Sequence, residues 1–311
     1  MEVTARMDEL SILTGKAKAW RGARMAIATV IETWGSAPRP RGSHMLIHED
    51  GRFEGSVSGG CVEGDILAAA AEVIRSGTAQ VKTFGLTDDD VWAVGIPCGG
   101  TISILVQAVG PDGFPIETFD AIAAARAAGL PLAVASDLGA GRSVVGRAEG
   151  DFVNLYLPPR RLLIVGAVQI AQSLAPFARQ LGVAVTVIDP RSRFLTAERF
   201  PDMARDDRWP DEAIAALAPD PSTAVVALSH DPKIDDPALF AALGSPAGYV
   251  AALGSRRSHE KRLERLAALG LEPAVLARIE GPAGIPIGAL NPGEIALSIA
   301  AGMVKAFNGR D

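Results

Sequence analysis

The sequence predicts a two-domain α/β protein: an N-terminal mixed α/β domain followed by a Rossmann-like, doubly wound parallel sheet. Three observations carry this. The chain has 311 residues, and at about 100–200 residues per domain that favours two domains. Positions 157–161 spell Leu-Pro-Pro-Arg-Arg, and two consecutive prolines continue neither a helix nor a central strand. Beyond that break, short β-branched apolar runs alternate with helical patterns, as in a parallel sheet covered by helices on both faces. The expected domains are therefore 1–157 and 158–311.

The elements follow in order. In the first domain, 24–33 and 43–48 are strands, and Asp50-Gly51 is a turn signal that makes 52–57 the second arm of a hairpin. The Ala-rich stretch 61–76 is a helix, 81–84 and 101–106 are strands, 121–128 is a helix and 132–135 a strand. In the second domain, 162–165 is a buried strand, and the helix 169–181 closes at Gly182, a good C-terminal cap residue. Strands at 183–188, 224–228 and 249–253 are separated by helical patterns at 211–217, 237–243 and 259–269. Asn291-Pro292-Gly293-Glu294 combines an N-cap, Pro at N1 and Glu at N3, the start of a helix.

Composition narrows the function. Lys+Arg is 30 and Asp+Glu 36, a formal charge of −6, the wrong sign for gripping a nucleic-acid backbone or an anionic membrane. Two cysteines exclude a disulfide scaffold, and there is no C-x-x-C zinc spacing. The N-terminal residues contain no apolar signal-peptide core. The longest apolar stretch, near 295–304, is too short to span a bilayer. A cytoplasmic protein with reduced thiols is expected.

Gly166-Ala167-Val168-Gln169 follows a strand and opens a helix, and Asp189 closes the next strand, as in the dinucleotide-binding fingerprint. That fingerprint needs glycine where the backbone approaches a pyrophosphate, and here the position is Val168. Two readings stand: a Rossmann domain used as scaffold, or an NAD site with a substituted loop. Weak or absent NAD(H) binding is expected.

Two Gly-Cys turns mark the first domain. Ser58-Gly59-Gly60-Cys61-Val62-Glu63 links a strand to a helix, and Cys98-Gly99-Gly100 leads into a strand. Paired glycines let amide N–H groups converge into an anion cradle. A thiol at a helix N-terminus is favoured as thiolate, a nucleophile and soft-metal ligand. Cys61 fits that geometry and Cys98 fits it less clearly. The alternatives are small buried hydrophobes or a Cys61–Cys98 disulfide, which a reducing cytosol disfavours. Arg39 and Arg41, in a Pro-Arg loop, suit a phosphate or carboxylate, or simply a solvated loop. Ser229-His230-Asp231 and Gly254-Ser255-Arg256-Arg257 each follow a strand, at the strand ends where open α/β sheets bind ligands. The alternatives there are a loop histidine and a surface charge pair, with Ser255 or Ser258 as N-cap.

Taken in sequence, the segments 35–39, 58–63, 98–101, 229–231, 254–257, 282–288 and 292–296 resemble the XdhC/CoxI family of xanthine dehydrogenase accessory proteins over nearly the whole chain. The resemblance implies a chaperone rather than an enzyme. Such a protein holds molybdenum cofactor while a terminal oxo ligand is replaced by sulfur, then passes it to apo-xanthine dehydrogenase. The implied partners are the molybdenum subunit of that enzyme and a cysteine desulfurase, and a homodimer is expected. The cofactor is carried, not used. Cys61 would contact the metal or carry the labile sulfur. Ser58, Gly59, Gly60, Glu63, Arg39, Arg41, Cys98, Gly99, Gly100, His230, Asp231, Ser255, Arg256 and Arg257 would complete the site. One departure from the family pattern is Gly166-Ala167-Val168-Gln169, where members usually show Gly-Ala-Gly-His. Readings from other classes are an NAD-dependent oxidoreductase using the Rossmann half, a persulfide-transferring enzyme with Cys61 as nucleophile, and a ligand-free scaffold.

Overall fold

The computed structural model describes residues 8–35, 39–85 and 100–309. They divide into two compact units, Glu9–Pro158 and a second that begins at Pro159.

The N-terminal unit is built on a five-stranded antiparallel sheet. Its strands are β1 (Met25–Trp34), β2 (His44–His48), β3 (Phe53–Gly55), β4 (Gln80–Phe84) and β5 (Thr101–Ala108), in the order β3-β2-β1-β5-β4. Successive strand residues point to opposite faces, and β1 is apolar on both. Ala26, Ala28 and Val30 join one core cluster, while Met25 and Ile27 join another. The first face is covered by a helix, Glu63–Ser76, through Ile66, Ala69, Ala70 and Val73. That spacing is one stripe of a 3.6-residue period. The helix ends at Gly77, whose φ of 75° is left-handed. The opposite face packs on Leu13 and Ala17 of α1 (Glu9–Ala19), and the covering helix just described is α2. Phe119 and Ile122 of α3 (Glu117–Ala127) complete that core with Val134 and Tyr156. These last two belong to a small antiparallel sheet of β6 (Leu132–Asp137), β7 (Arg142–Val145) and β8 (Phe152–Tyr156), ordered β7-β6-β8.

His44 pins this core. Its ring is buried. Tyr156 OH (2.9 Å) and Asn154 Nδ2 (3.1 Å) both meet Nε2, which leaves the ring proton on Nδ1, 2.9 Å from Thr29 Oγ1. Burial pushes its pKa down from 6.5 to about 4. The unfolded chain therefore takes up a proton that the native state refuses. This unit should hold full stability above pH 6.5 and lose about 3 kcal/mol as the pH falls from there to about 4. Urea titrations above and within that window check the sign and size.

The C-terminal unit carries a fully parallel sheet of β9 (Arg161–Val165), β10 (Ala184–Ile188), β11 (Ala204–Asp206), β12 (Thr223–Ala227), β13 (Tyr249–Ala252) and β14 (Ile279–Glu280). The order is β11-β10-β9-β12-β13-β14, which within this unit is the doubly wound order 3-2-1-4-5-6. Its helices are α4 (Gln169–Gln180), α5 (Pro210–Leu217), α6 (Pro232–Leu243), α7 (Arg256–Ala268), α8 (Pro273–Leu276) and α9 (Pro292–Asn308). α4 and α9 meet Leu162 and Ile164 on one face, and α5 to α8 meet Leu163 and Val165 on the other. Both faces are sealed, as a parallel sheet requires. No described helix is long and apolar enough to cross a membrane.

Four helix starts differ from the sequence expectation by two residues or more, among them α7, which begins at Arg256 behind its Ser255 cap and not at 259. α2 starts at Glu63, not at 61, because Ser58 Oγ accepts from the amides of Cys61 and Val62 at 2.9 Å each and holds both in the preceding turn. α6 starts at Pro232 rather than 237: Asp231 caps it by accepting from Lys233 N (3.0 Å), so Pro232 is the N1 proline and Pro237 lies inside. α3 begins at Glu117 instead of 121. The helix expected at 292 forms, with Asn291 Oδ1 accepting from Glu294 N at 3.0 Å.

Candidate functional site

Ser56 to Val62 form the turn between β3 and α2. Gly59 and Gly60 have φ values of 76° and 117°, a backbone open to glycine that aims successive amides inward. The resulting cradle is filled from within. Glu63 accepts from Ser56 Oγ (2.6 Å), Ser58 N (3.0 Å), Gly60 N (2.8 Å) and Ser58 Oγ. Burial pushes the Glu63 carboxyl up, but the Ser56 and Ser58 hydrogen bonds outweigh it and hold the pKa down at about 2. Glu63 is thus a fixed anion inside the turn. Ser58 is 1% exposed, whereas Gly59, Gly60 and Cys61 are exposed. Cys61 stands on the rim, one residue before the helix cap, as a free and exposed thiol.

The Pro-Arg loop braces this turn. Arg39 donates from Nε to Ser56 O (3.2 Å) and pairs through Nη2 with Glu9. Arg41 donates to Ile31 O (3.0 Å), and its guanidinium lies 4.8 Å from the centre of the Phe152 ring. The structure therefore brings Arg39 to the Gly-Cys turn and packs Arg41 against β1 and β8. Gly100 is buried at the start of β5, while Cys98 and Gly99 fall outside the described residues. Among the described residues, no group of three or more His, Cys, Asp or Glu side chains is placed to hold a metal ion.

In the C-terminal unit the turn after β9 meets the loop after β12. Gly166 has φ 101°, and a Cβ there would lie 2.7 Å from Ser229 N, so glycine serves close backbone approach. Val168 caps α4 without a side-chain bond and packs on the core cluster below. Asp189, the residue that meets a ribose in dinucleotide folds, is fully buried. Its Oδ2 accepts from Ala167 N (2.7 Å) and Arg191 Nη2 (2.8 Å), and its Oδ1 from Arg191 N and Nε at 2.9 Å each. Sequence reasoning read the acidic position but not its partner two residues on.

His230 is exposed, with a left-handed φ of 62°. Asp231 is the α6 cap. Ser229 donates through Oγ to Asp235 Oδ1 (2.6 Å). Ser255 caps α7 by accepting from Ser258 N (3.2 Å), and Arg256 and Arg257 stand exposed on its first turn. The sequence reading passed over Arg262. The inward side of α7 runs through His259, Arg262, Leu263 and Leu266, so the helical period alone places this arginine on the buried face.

Two family models match the chain: the XdhC and CoxI family over residues 19–85, and the XdhC Rossmann domain over 162–303. The Escherichia coli (strain K12) protein named molybdenum cofactor insertion chaperone PaoD is 30% identical over 284 residues, 90% of this chain and 82% of its own length. This chain belongs to the XdhC/CoxI family. A Bacillus subtilis (strain 168) relative, named as a probable subunit of xanthine dehydrogenase, is 25% identical across 90% of this chain and 92% of its own. A crystal structure of a xanthine dehydrogenase from Bacillus halodurans superposes with a TM-score of 0.76 at 26% identity, covering 98% of this chain and 97% of that one. The XdhC/CoxI match spans the Pro-Arg loop and the Gly-Cys turn, and the XdhC Rossmann match spans Gly166, Asp189 and the loops at Ser229 and Ser255. The parallel sheet described above is thus an XdhC Rossmann domain.

Proposed function

We propose that this chain is a carrier of molybdenum cofactor that serves xanthine dehydrogenase maturation: an accessory chaperone, not a metabolic enzyme. It holds the cofactor during sulfuration and releases it to the apoenzyme. Its partners are a cysteine desulfurase and the molybdenum subunit of that enzyme, and it acts as a homodimer in the cytoplasm. The names of its relatives support the general role. The single observation that carries the site is the exposed Cys61 thiol on the rim of a turn whose amides are already satisfied.

A cofactor that brings its own dithiolene ligands needs no full protein ligand set, and one soft sulfur suits molybdenum or its sulfur exchange. In this reading Cys61 makes that contact. Ser58, Gly59, Gly60, Glu63 and Arg39 shape the turn that presents it, and Arg41 anchors the loop bearing Arg39. The loops at His230–Asp231 and Ser255–Arg257 lie at the strand ends of the Rossmann domain, where that fold receives ligands. NAD is not part of the reading. Asp189, which a ribose would need, already accepts four hydrogen bonds from its own unit.

The test is Cys61→Ala, loaded with molybdenum cofactor and analysed for bound metal and pterin, then mixed with apo-xanthine dehydrogenase. Because the thiol is exposed, folding should be unchanged. Retained molybdenum and activation should both fall by about tenfold or more, the scale of one lost charge-assisted contact. Full retention together with full activation would overturn the assignment.

A further inference from the structure

Within the C-terminal unit, a cavity of about 210 Å³ opens beside the ends of β12 and β13. It is lined by His230, Asp235, Leu253, Ser258, Lys261, Arg262 and Arg265, with Pro232. Its floor holds an anomaly. Arg262 is only 5% exposed. Its Nη2 donates to Leu253 O (2.7 Å) and its Nη1 lies 3.4 Å from His259 Nδ1, but its buried Nε has no hydrogen-bond partner. No carboxylate among the described residues lies within ion-pair distance of it. Asp235 and Asp236 act on this guanidinium only from beyond contact distance, and a buried guanidinium with a bare N–H and no carboxylate in direct contact is costly unless something else supplies the charge.

The neighbours show which charge is missing. Arg265 is bidentate on Asp236, through Nε and through Nη2 at 2.9 Å, so that pair is closed. Lys261 is exposed beside the cavity. The one carboxyl that lines it, Asp235, accepts from Ser229 Oγ and Ser229 N (3.2 Å) on its own side, and burial raises its pKa above the usual carboxylate value. The cavity also adjoins the first turn of α7, whose dipole favours an anion. Beyond the closed Arg265–Asp236 pair, two cations and a helix start thus face one carboxyl whose charge is itself disfavoured.

We propose that this cavity binds a phosphate-type anion, inorganic phosphate or the phosphate of a phosphomonoester, with Lys261 and the guanidinium of Arg262 as its principal charged contacts and His230 at the rim. Arg262 supplies the fixed, dry contact and Lys261 the mobile one. The site is separate from the Gly-Cys turn, where Glu63 already fills the amide cradle. The cavity shares His230 and the start of α7 with the loops that the cofactor reading assigns to a ligand, and the probes below, which contain neither molybdenum nor pterin, keep the failure of one inference distinguishable from that of the other.

The full chain is titrated with inorganic phosphate, and separately with glycerol 3-phosphate, at constant ionic strength, following the arginine Nε–H resonances by NMR. Arg262→Lys identifies its signal. Saturable movement of that signal in the millimolar range is expected. Lys261→Ala, at an exposed position that folding tolerates, should weaken binding by about tenfold, the worth of one charge-assisted contact. Lys305→Ala, an equal change in net charge on α9, should leave it unchanged. A response to phosphate alone assigns the free anion, and a tighter response to the ester assigns the phosphomonoester. An Arg262 signal that does not move with either probe overturns the proposal, as does equal weakening by Lys261→Ala and Lys305→Ala, which would show only general attraction.

Discussion

Replacing Arg191 by alanine is expected to destabilise the C-terminal unit by about 2–3 kcal/mol, below the loss of about 3–5 kcal/mol for a fully buried ion pair because the Arg191 side chain is one-third exposed. Asp189 closes β10 with none of its surface exposed. Alanine at 191 keeps the two backbone bonds, from Ala167 N and from its own amide, but strips both guanidinium contacts from the carboxylate. Burial alone drives that carboxyl up, and the bonds from Arg191 and Ala167 turn the balance and hold it below 3.8. In the wild type the contribution is therefore present at neutral pH and is lost as the pH falls through the depressed native value. In Arg191→Ala the carboxyl rises instead, so the deficit should be largest at neutral pH and shrink on acidification. Urea titrations at neutral and acidic pH measure this, and adding Asp189→Asn should recover much of the loss by removing the unpaired charge. Equal stability of Arg191→Ala and wild type at neutral pH would show the pair to be idle, leaving Asp189 free for a nucleotide ribose.

The Asp189 case shows what a sequence exposes and what it conceals. β9, β10, β12 and β13 were legible because a strand buried on both faces is a continuous apolar run, and helices of 10–15 residues between such runs force parallel pairing. β11 (Ala-Arg-Asp) and β14 (Ile-Glu) were not. They are short edge strands, held by backbone pairing to β10 and β13, and side-chain pattern carries no record of that. The start of α6 was lost to Pro237, a plausible first-turn residue until Asp231 is seen capping the turn before it. At the site, the Gly-Cys motif was visible, but the occupant of its cradle was not. Glu63 lies five positions after Ser58, and only the fold shows that carboxylate turning back onto the amides. Arg262 was masked by its setting, since α7 is so rich in charge that one inward arginine does not stand out until burial is known.

Glu63→Ala should therefore be the most disruptive change at the Gly-Cys turn. It removes the acceptor for Ser56 Oγ, Ser58 N, Ser58 Oγ and Gly60 N. With hydrogen bonds to a charged acceptor each worth about 1.5–3 kcal/mol, and part of that replaced by water at this half-buried position, a loss of about 4 kcal/mol is expected. The damage should stay local, because α2 is held by Ile66, Ala69, Ala70 and Val73 and not by its first turn. Hydrogen exchange should quicken at the amides of Ser58 and Gly60 while those of α2 keep their protection. The carboxyl titrates near 2 in the fold against 4.5 ordinarily, so the wild-type turn should keep this support above pH 4.5 and lose it only as the pH falls toward 2. Glu63→Gln separates charge from shape: it keeps one acceptor oxygen but sets an amide against donors, and should lie between alanine and wild type. If the turn exists to present Cys61, Glu63→Ala should release molybdenum cofactor as readily as Cys61→Ala although its thiol is intact. Retention of the cofactor by a variant whose turn exchanges freely would mean that the sulfur needs no fixed address, and the internal anion would then be a matter of folding alone.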